Sequence, residues 1–103
     1  MAKNLYNKGK RDQNEGEILR LLKSYNIKAT QLPPGAGADL LIWMRPLFLV
    51  EVKNPAQPLC KRQLTSEEEE AMTLSEQIGI PYYVIETVDE MNELIGNYIR
   101  RMP

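Results

Sequence analysis

Two apolar runs near the middle of the chain, Asp39–Met44 and Leu47–Lys53, are separated only by Arg45-Pro46. Short apolar runs bounded by turn residues read as strands. Two strands with so little chain between them return antiparallel, as a β-hairpin. The segment just upstream, Pro33-Pro34-Gly35-Ala36-Gly37, excludes regular structure. Its prolines fix φ and remove N–H donors, and its glycines admit backbone conformations closed to other residues. The hairpin is thus a fixed point from which the rest of the chain can be read outward.

Upstream, Ile18, Leu19 and Leu22 recur at i, i+1 and i+4, with Leu21 and Tyr25 adjacent. This predicts an amphipathic helix from Asn14 to Tyr25, ended by Asn26, with a short strand following within Ile27–Leu32. Downstream, Asn54–Gln63 holds two prolines and reads as a loop. Thr65 with Glu68, or Ser66 with Glu69, fits a capping box, and the acidic run Glu67–Glu70 complements the positive end of a helix dipole. That helix should run to about Ile78 and stop at Gly79. Pro81–Glu86 reads as a strand. Thr87 and Glu90 form a second capping box, and Met91, Leu94, Ile95, Tyr98 and Ile99 follow at helical spacing. The predicted order is α-β-β-β-α-β-α, a mixed α/β domain. At 103 residues the chain suits one domain, since ~100–200 residues per domain is usual.

Composition narrows the chemistry. There is no His, so a His general base, a Ser-His or Cys-His pair and a His-containing zinc site are all excluded. Catalysis would have to use carboxylates, lysines, hydroxyls or the single thiol of Cys60. Cys60 has Lys61 and Arg62 beside it but no His or CxxC partner, and it is not read as catalytic. A lone Cys and no apolar segment after Met1-Ala2-Lys3-Asn4 suggest an intracellular, cytoplasmic protein with no membrane partner.

The net charge of −1 conceals a gradient. Met1 to Lys28 carries a net +4, Ala29 to Gln63 a net +2 and Leu64 to Pro103 a net −7. A basic first half points weakly to a polyanion-binding face. Residues 1–13 read as a basic N-terminal arm and 14–103 as the folded domain. Lys8, Lys10, Arg11, Lys61 and Arg62 are the candidate phosphate contacts.

The stretch that carries chemistry is Gly37-Ala38-Asp39, followed by Leu49-Val50-Glu51-Val52-Lys53. Alternation along a strand puts Phe48, Val50 and Val52 on one face and Glu51 and Lys53 on the other. A three-residue turn pairs Asp39 with Lys53, and the three charged groups converge. A two-residue turn pairs Asp39 with Val52 and sends it to the opposite face, unless a bend or bulge near Asp39 restores convergence. Asp39 and Glu51 in one cleft, with the Val52 carbonyl, would suit Mg²⁺ or Mn²⁺, hard cations that take oxygen ligands. Lys53 would then position water or offset charge on a phosphate. Trp43 and Phe48, on the same hairpin, are read as core or interface residues, and Tyr82 and Tyr83 as one facing in and one out.

Asp39, eleven residues, then Glu51-Val52-Lys53 resembles the PD-(D/E)xK nuclease signature, with Ala38 where that signature usually has Pro. The resemblance implies a restriction-endonuclease-like α-β-β-β-α-β core with a mixed central sheet flanked by helices, here with an added C-terminal helix. It also implies an acidic residue on the first helix, which selects Glu15 as a further metal or water ligand. The chain is most similar to the VRR-NUC branch, through Leu64-Thr65-Ser66-Glu67-Glu68, Gly79-Ile80-Pro81 and Thr87-Val88-Asp89-Glu90. That branch's Gln falls at Glu68, which leaves a changed site residue there or a role moved to Gln63. The first helix and the Glu-x-Lys strand also resemble archaeal-type Holliday junction resolvases. The resemblance implies a homodimeric, Mg²⁺- or Mn²⁺-dependent, structure-specific DNA endonuclease acting on branched DNA, in a bacterial or phage-infected cell. The alternatives are a nuclease-fold module that binds nucleic acid or protein without cutting, and a plain protein-interaction domain.

Overall fold

Side chains along the central hairpin sort onto two faces, and the rest of the chain packs to suit them. The computed structural model describes residues 14–61 and 63–101, with the Lys61 side chain not among the described atoms. Strands β1 (Ala29–Gln31), β2 (Leu40–Ile42), β3 (Phe48–Val52) and β4 (Tyr82–Ile85) form one sheet in that order. The first three are antiparallel and β4 runs parallel to β3, so the sheet is mixed. Helix α1 covers residues 14–24, α2 spans Ser66–Gln77 and α3 spans Val88–Arg101. A 3₁₀ turn at Leu59–Lys61 lies between β3 and α2. The chain is therefore α/β, with the element order expected from its sequence.

Leu40, Ile42, Phe48, Val50, Val52 and Ile85 share one face of the sheet and are buried there. Against them pack Ile18 and Leu22 of α1 and Met91, Ile95 and Tyr98 of α3. Phe48 is fully enclosed, with ring centroids 5.4 Å from Tyr83 and 4.6 Å from Tyr98. Each such side chain contributes roughly 1.5–3 kcal/mol by leaving water. A one-residue slip would turn the whole set outward, so this core fixes the register.

The register corrects the expected turn. Leu40 pairs with Val50 and Ile42 with Phe48, so the connection is the five residues 43–47 rather than a tight turn at Arg45-Pro46. Pro46 supplies no N–H to a ladder and its ring fixes φ, so the strands cannot zip up to it. The Arg45-Pro46 bond is cis.

Helix ends follow local chemistry. Asn26 leaves α1 at φ 61, with its N–H on Lys23 O. Of the two capping boxes open at the start of α2, Thr65 with Glu68 is the one formed. At α3, Glu90 N–H bonds to Thr87 Oγ1 and Thr87 N–H to Glu90 Oε1. Among the described residues no helix is long and apolar enough to cross a membrane.

The other face of the sheet carries Leu41, Leu49, Glu51 and Tyr82, and α2 flanks it, packing against β4. Leu74 of α2 and Ile78 just beyond it are exposed, and the buried residue of this helix is Ser75, so no apolar stripe seats it. Lys53 Nζ reaches Glu68 of α2 at 2.8 Å, and the glycine loop before β2 packs closely on the same helix. The Tyr82 hydroxyl donates to Gly37 O at 2.5 Å. Gly37 has φ +86, and a Cβ there would meet Ala71 Cβ at 2.5 Å and Glu67 O at 3.0 Å. A Gly37→Ala substitution combines left-handed backbone strain with overpacking. It should destabilise the domain by roughly 2–4 kcal/mol in urea unfolding. A loss under about 0.5 kcal/mol would show that the loop and α2 are not packed as described.

Candidate active site

The site is built where β2 begins and β3 runs on past it. Leu49 and Lys53 send their N–H groups to β4, onto Pro81 O and Ile85 O at 2.9 Å each. Backbone alternation therefore points the Val52 N–H the other way, past the start of β2, where no strand carbonyl follows. The Asp39 carboxylate takes its place: Val52 N–H donates to Asp39 Oδ2 at 2.8 Å. Asp39 is held through its backbone as well, donating to Val50 O at 2.9 Å and accepting from Leu32 N–H at 2.8 Å. Its side chain is therefore fixed, at 1% exposure.

Asp39 lies in the bend just before β2, with its N–H on the carbonyl of Val50, the residue that pairs with Leu40. Asp39 and Glu51 line one cleft of about 460 Å³, together with Val52, Lys53, Thr65 and Glu68. The expected convergence of Asp39, Glu51 and Lys53 is present. It comes with a five-residue connection and a bend at Asp39, the alternative to a two- or three-residue turn that the sequence left open.

Charge in the cleft is concentrated and partly dry. Lys53 Nζ lies 2.8 Å from Glu68 Oε1 and 3.4 Å from Glu51 Oε2, and all three side chains are mostly buried. Burial, and then the neighbouring Glu68 carboxyl, push Glu51 up to about 7 against the weaker pull of Lys53. Burial alone would raise Glu68 too. The bonds from Lys53 and from the Thr65 backbone N–H outweigh it and hold Glu68 below its ordinary value. The same Glu68 Oε1 accepts from Lys53 and from Thr65 N–H at 2.9 Å, so the helix cap and the site lysine share one atom. Tyr82 is raised by burial and then by the nearby negative charge of Glu51 and Glu68.

The remaining candidates divide. Glu15 is buried at the start of α1, on the core side of the sheet, where its Oε2 accepts from Gln31 Nε2 at 3.0 Å. It is not among the residues lining the cleft. Gln63 is exposed and does not line the cleft either, whereas Glu68, at the position of the resembled family's Gln, does. Lys8, Lys10, Arg11 and Arg62 fall outside the described residues, as does the Lys61 side chain. Cys60 is exposed. Two residues were missed in the sequence. Asn14 ties α1 to the site by donating from Nδ2 to Lys53 O and Glu86 O, at 3.0 and 3.1 Å. Tyr82 pins the glycine loop that leads into Asp39. Asn14 had no sequence signal beyond being a good helix start. Tyr82 stood only in the strand's alternation.

Among the described residues, no group of three or more His, Cys, Asp or Glu side chains is gathered closely enough to hold an ion unaided. The oxygen donors at hand are the Asp39 and Glu51 carboxylates and the Val52 carbonyl. That set fits a cation that keeps several of its waters, as Mg²⁺ does. The electrostatics fit as well, since Glu51 is short of positive charge where it stands. The chain matches no family model, no curated protein and no solved structure.

Glu51 makes stability depend on pH. In the folded chain it keeps its proton up to about 7, while unfolded it ionises near 4.5. Between those values the native state binds more protons, so its contribution is fully present below pH 4.5 and fades as pH rises through 7. Urea unfolding in EDTA should show a loss on the order of 2–3 kcal/mol across this window. The Glu51→Gln variant should lack that slope. Parallel pH curves for the two proteins would contradict the buried-carboxyl account.

Proposed function

We propose that this chain is a metal-dependent DNA endonuclease of restriction-endonuclease-like fold, hydrolysing phosphodiester bonds, with branched DNA as its substrate and a homodimer as its working form. The observation that carries this reading is the meeting of Asp39, Glu51 and Lys53 in one cleft at the end of β3. Asp39, Glu51 and the Val52 carbonyl would hold Mg²⁺ or Mn²⁺. The bound cation would supply Lewis acidity toward the phosphate and an acidified water.

The chain's own groups divide the remaining work. Asp39, locked by the Val52 N–H, gives a donor atom fixed in place before any ligand arrives. Glu51 becomes a full carboxylate once a cation offsets its burial. Lys53 offers its ammonium, on a mostly buried side chain, to charge developing on the phosphate. A two-fold dimer would present two equivalent clefts, which suits paired nicks on a junction. The cytoplasm of a bacterial or phage-infected cell belongs to the same proposal.

One observation favours a second reading, a nuclease-fold module that binds without cutting. The Lys53 ammonium is already engaged by Glu68 at 2.8 Å as well as by Glu51. Labelled four-way, flap and linear DNA incubated with Mg²⁺, Mn²⁺ or EDTA separates the two. The nuclease reading expects cutting of the four-way substrate that vanishes in EDTA. Glu51→Gln and Lys53→Ala should each lower the rate by roughly 10²–10³-fold, the usual cost of losing one charge-stabilising group. Binding without cutting under every metal condition would establish the module instead. Sedimentation should give a mass about twice 11.9 kDa.

A further inference from the structure

The sheet face that carries the cleft continues to its other end, and an aromatic side chain stands exposed there. Trp43 follows Ile42 at the end of β2, on the face of Leu41 and Glu51, and is 52% exposed. Of the two readings given to this pair, core or interface, Phe48 is core and Trp43 is not in the core. The ring is nonetheless held, since its Nε1–H donates to Thr30 Oγ1 at 2.8 Å. An exposed ring fixed by a hydrogen bond loses little freedom when something stacks on it.

One basic residue lies across from it and another follows in the adjoining turn. Trp43 N–H bonds to Lys28 O at 2.9 Å, which extends the β1–β2 ladder by one step and sets Lys28 directly across from Trp43. Side chains so placed have Cβ atoms about 4.5–5.5 Å apart. Arg45 is two residues along the same turn. Lys28 and Arg45 are both exposed, and neither forms an ion pair among the described residues. Four residues of strand, on the order of 13 Å, separate Trp43 from Asp39 at the cleft. That is about four base steps at duplex spacing.

We propose that Trp43, flanked by Lys28 and Arg45, is a stacking platform for an unpaired base of a DNA strand, on the sheet face that leads to the cleft. An indole plane accepts any base, and two cations beside it meet the phosphates on either side. The path toward the cleft rests on the nuclease reading, but the platform itself does not. An unpaired strand is what a junction or flap offers and continuous duplex does not.

Trp43 is the only tryptophan of the chain, so its fluorescence reports this site directly. The full chain, in EDTA at about 50 mM salt, would be titrated with a short oligothymidylate, its RNA counterpart and a blunt duplex. Saturable quenching by the DNA strand is expected, at roughly tenfold lower concentration than by duplex, and weakened by added salt. Trp43→Leu should weaken binding roughly tenfold, read by the anisotropy of a labelled strand. Lys28→Ala, at an exposed position where folding is not at stake, should weaken it severalfold and flatten the salt dependence.

Absence of quenching overturns the proposal, as does equal binding by both variants. Tighter binding of the RNA strand overturns the choice of DNA. A concentration-dependent blue shift without oligonucleotide would assign the face to a second copy, which also overturns it. Quenching without cleavage in Mg²⁺ would leave the platform standing and remove the nuclease. Cleavage without quenching would do the reverse.

Discussion

One hydrogen bond organises the functional end of this molecule: Val52 N–H to the Asp39 carboxylate. A sheet strand that outruns its neighbour leaves a buried backbone donor with nothing to meet, at a cost of about 1–3 kcal/mol. Here a side chain meets that need where a strand carbonyl would have stood. The same bond that closes the sheet edge thereby holds a carboxylate beside Glu51. The placement of Asp39 depends in turn on the glycine loop. Gly37 lets that loop press against α2 as no other residue could, and Tyr82 pins it from β4. Site and fold are at this point one structure.

The second organising element is the sharing of Lys53 between two glutamates of opposite character. Glu51 is buried at a strand end and holds its proton unusually well, while Glu68 is ionised and anchored by the cap of α2. An ammonium between them ties the sheet to the helix across the cleft. A buried group of two acids and one base is costly to keep without further positive charge. That deficit gives the cleft its affinity for a cation in the proposed account.

Much of this was legible in the sequence, for identifiable reasons. The Thr65–Glu68 and Thr87–Glu90 boxes are local, needing only four residues each. The common face of Glu51 and Lys53 follows from strand alternation. What was not legible required long-range geometry. The five-residue connection depended on which apolar pair, Ile42 with Phe48, the core would accept. Glu15 is buried near the start of its helix, at the expected place, and its bond to Gln31 depends on β1, which helical spacing does not show. Trp43 read as core or interface because aromatic residues on hairpins usually are one or the other. Its exposure follows from α1 and α3 both packing on the other face.

The central claim is that Asp39 and Glu51 together hold a divalent cation. Diffraction from crystals grown with Mn²⁺, recorded at the manganese absorption edge, tests it most directly. The account predicts an anomalous peak in the cleft, within bonding distance of both carboxylates and the Val52 carbonyl oxygen. Manganese bound elsewhere with the cleft empty, or a peak touching neither Asp39 nor Glu51, would contradict it.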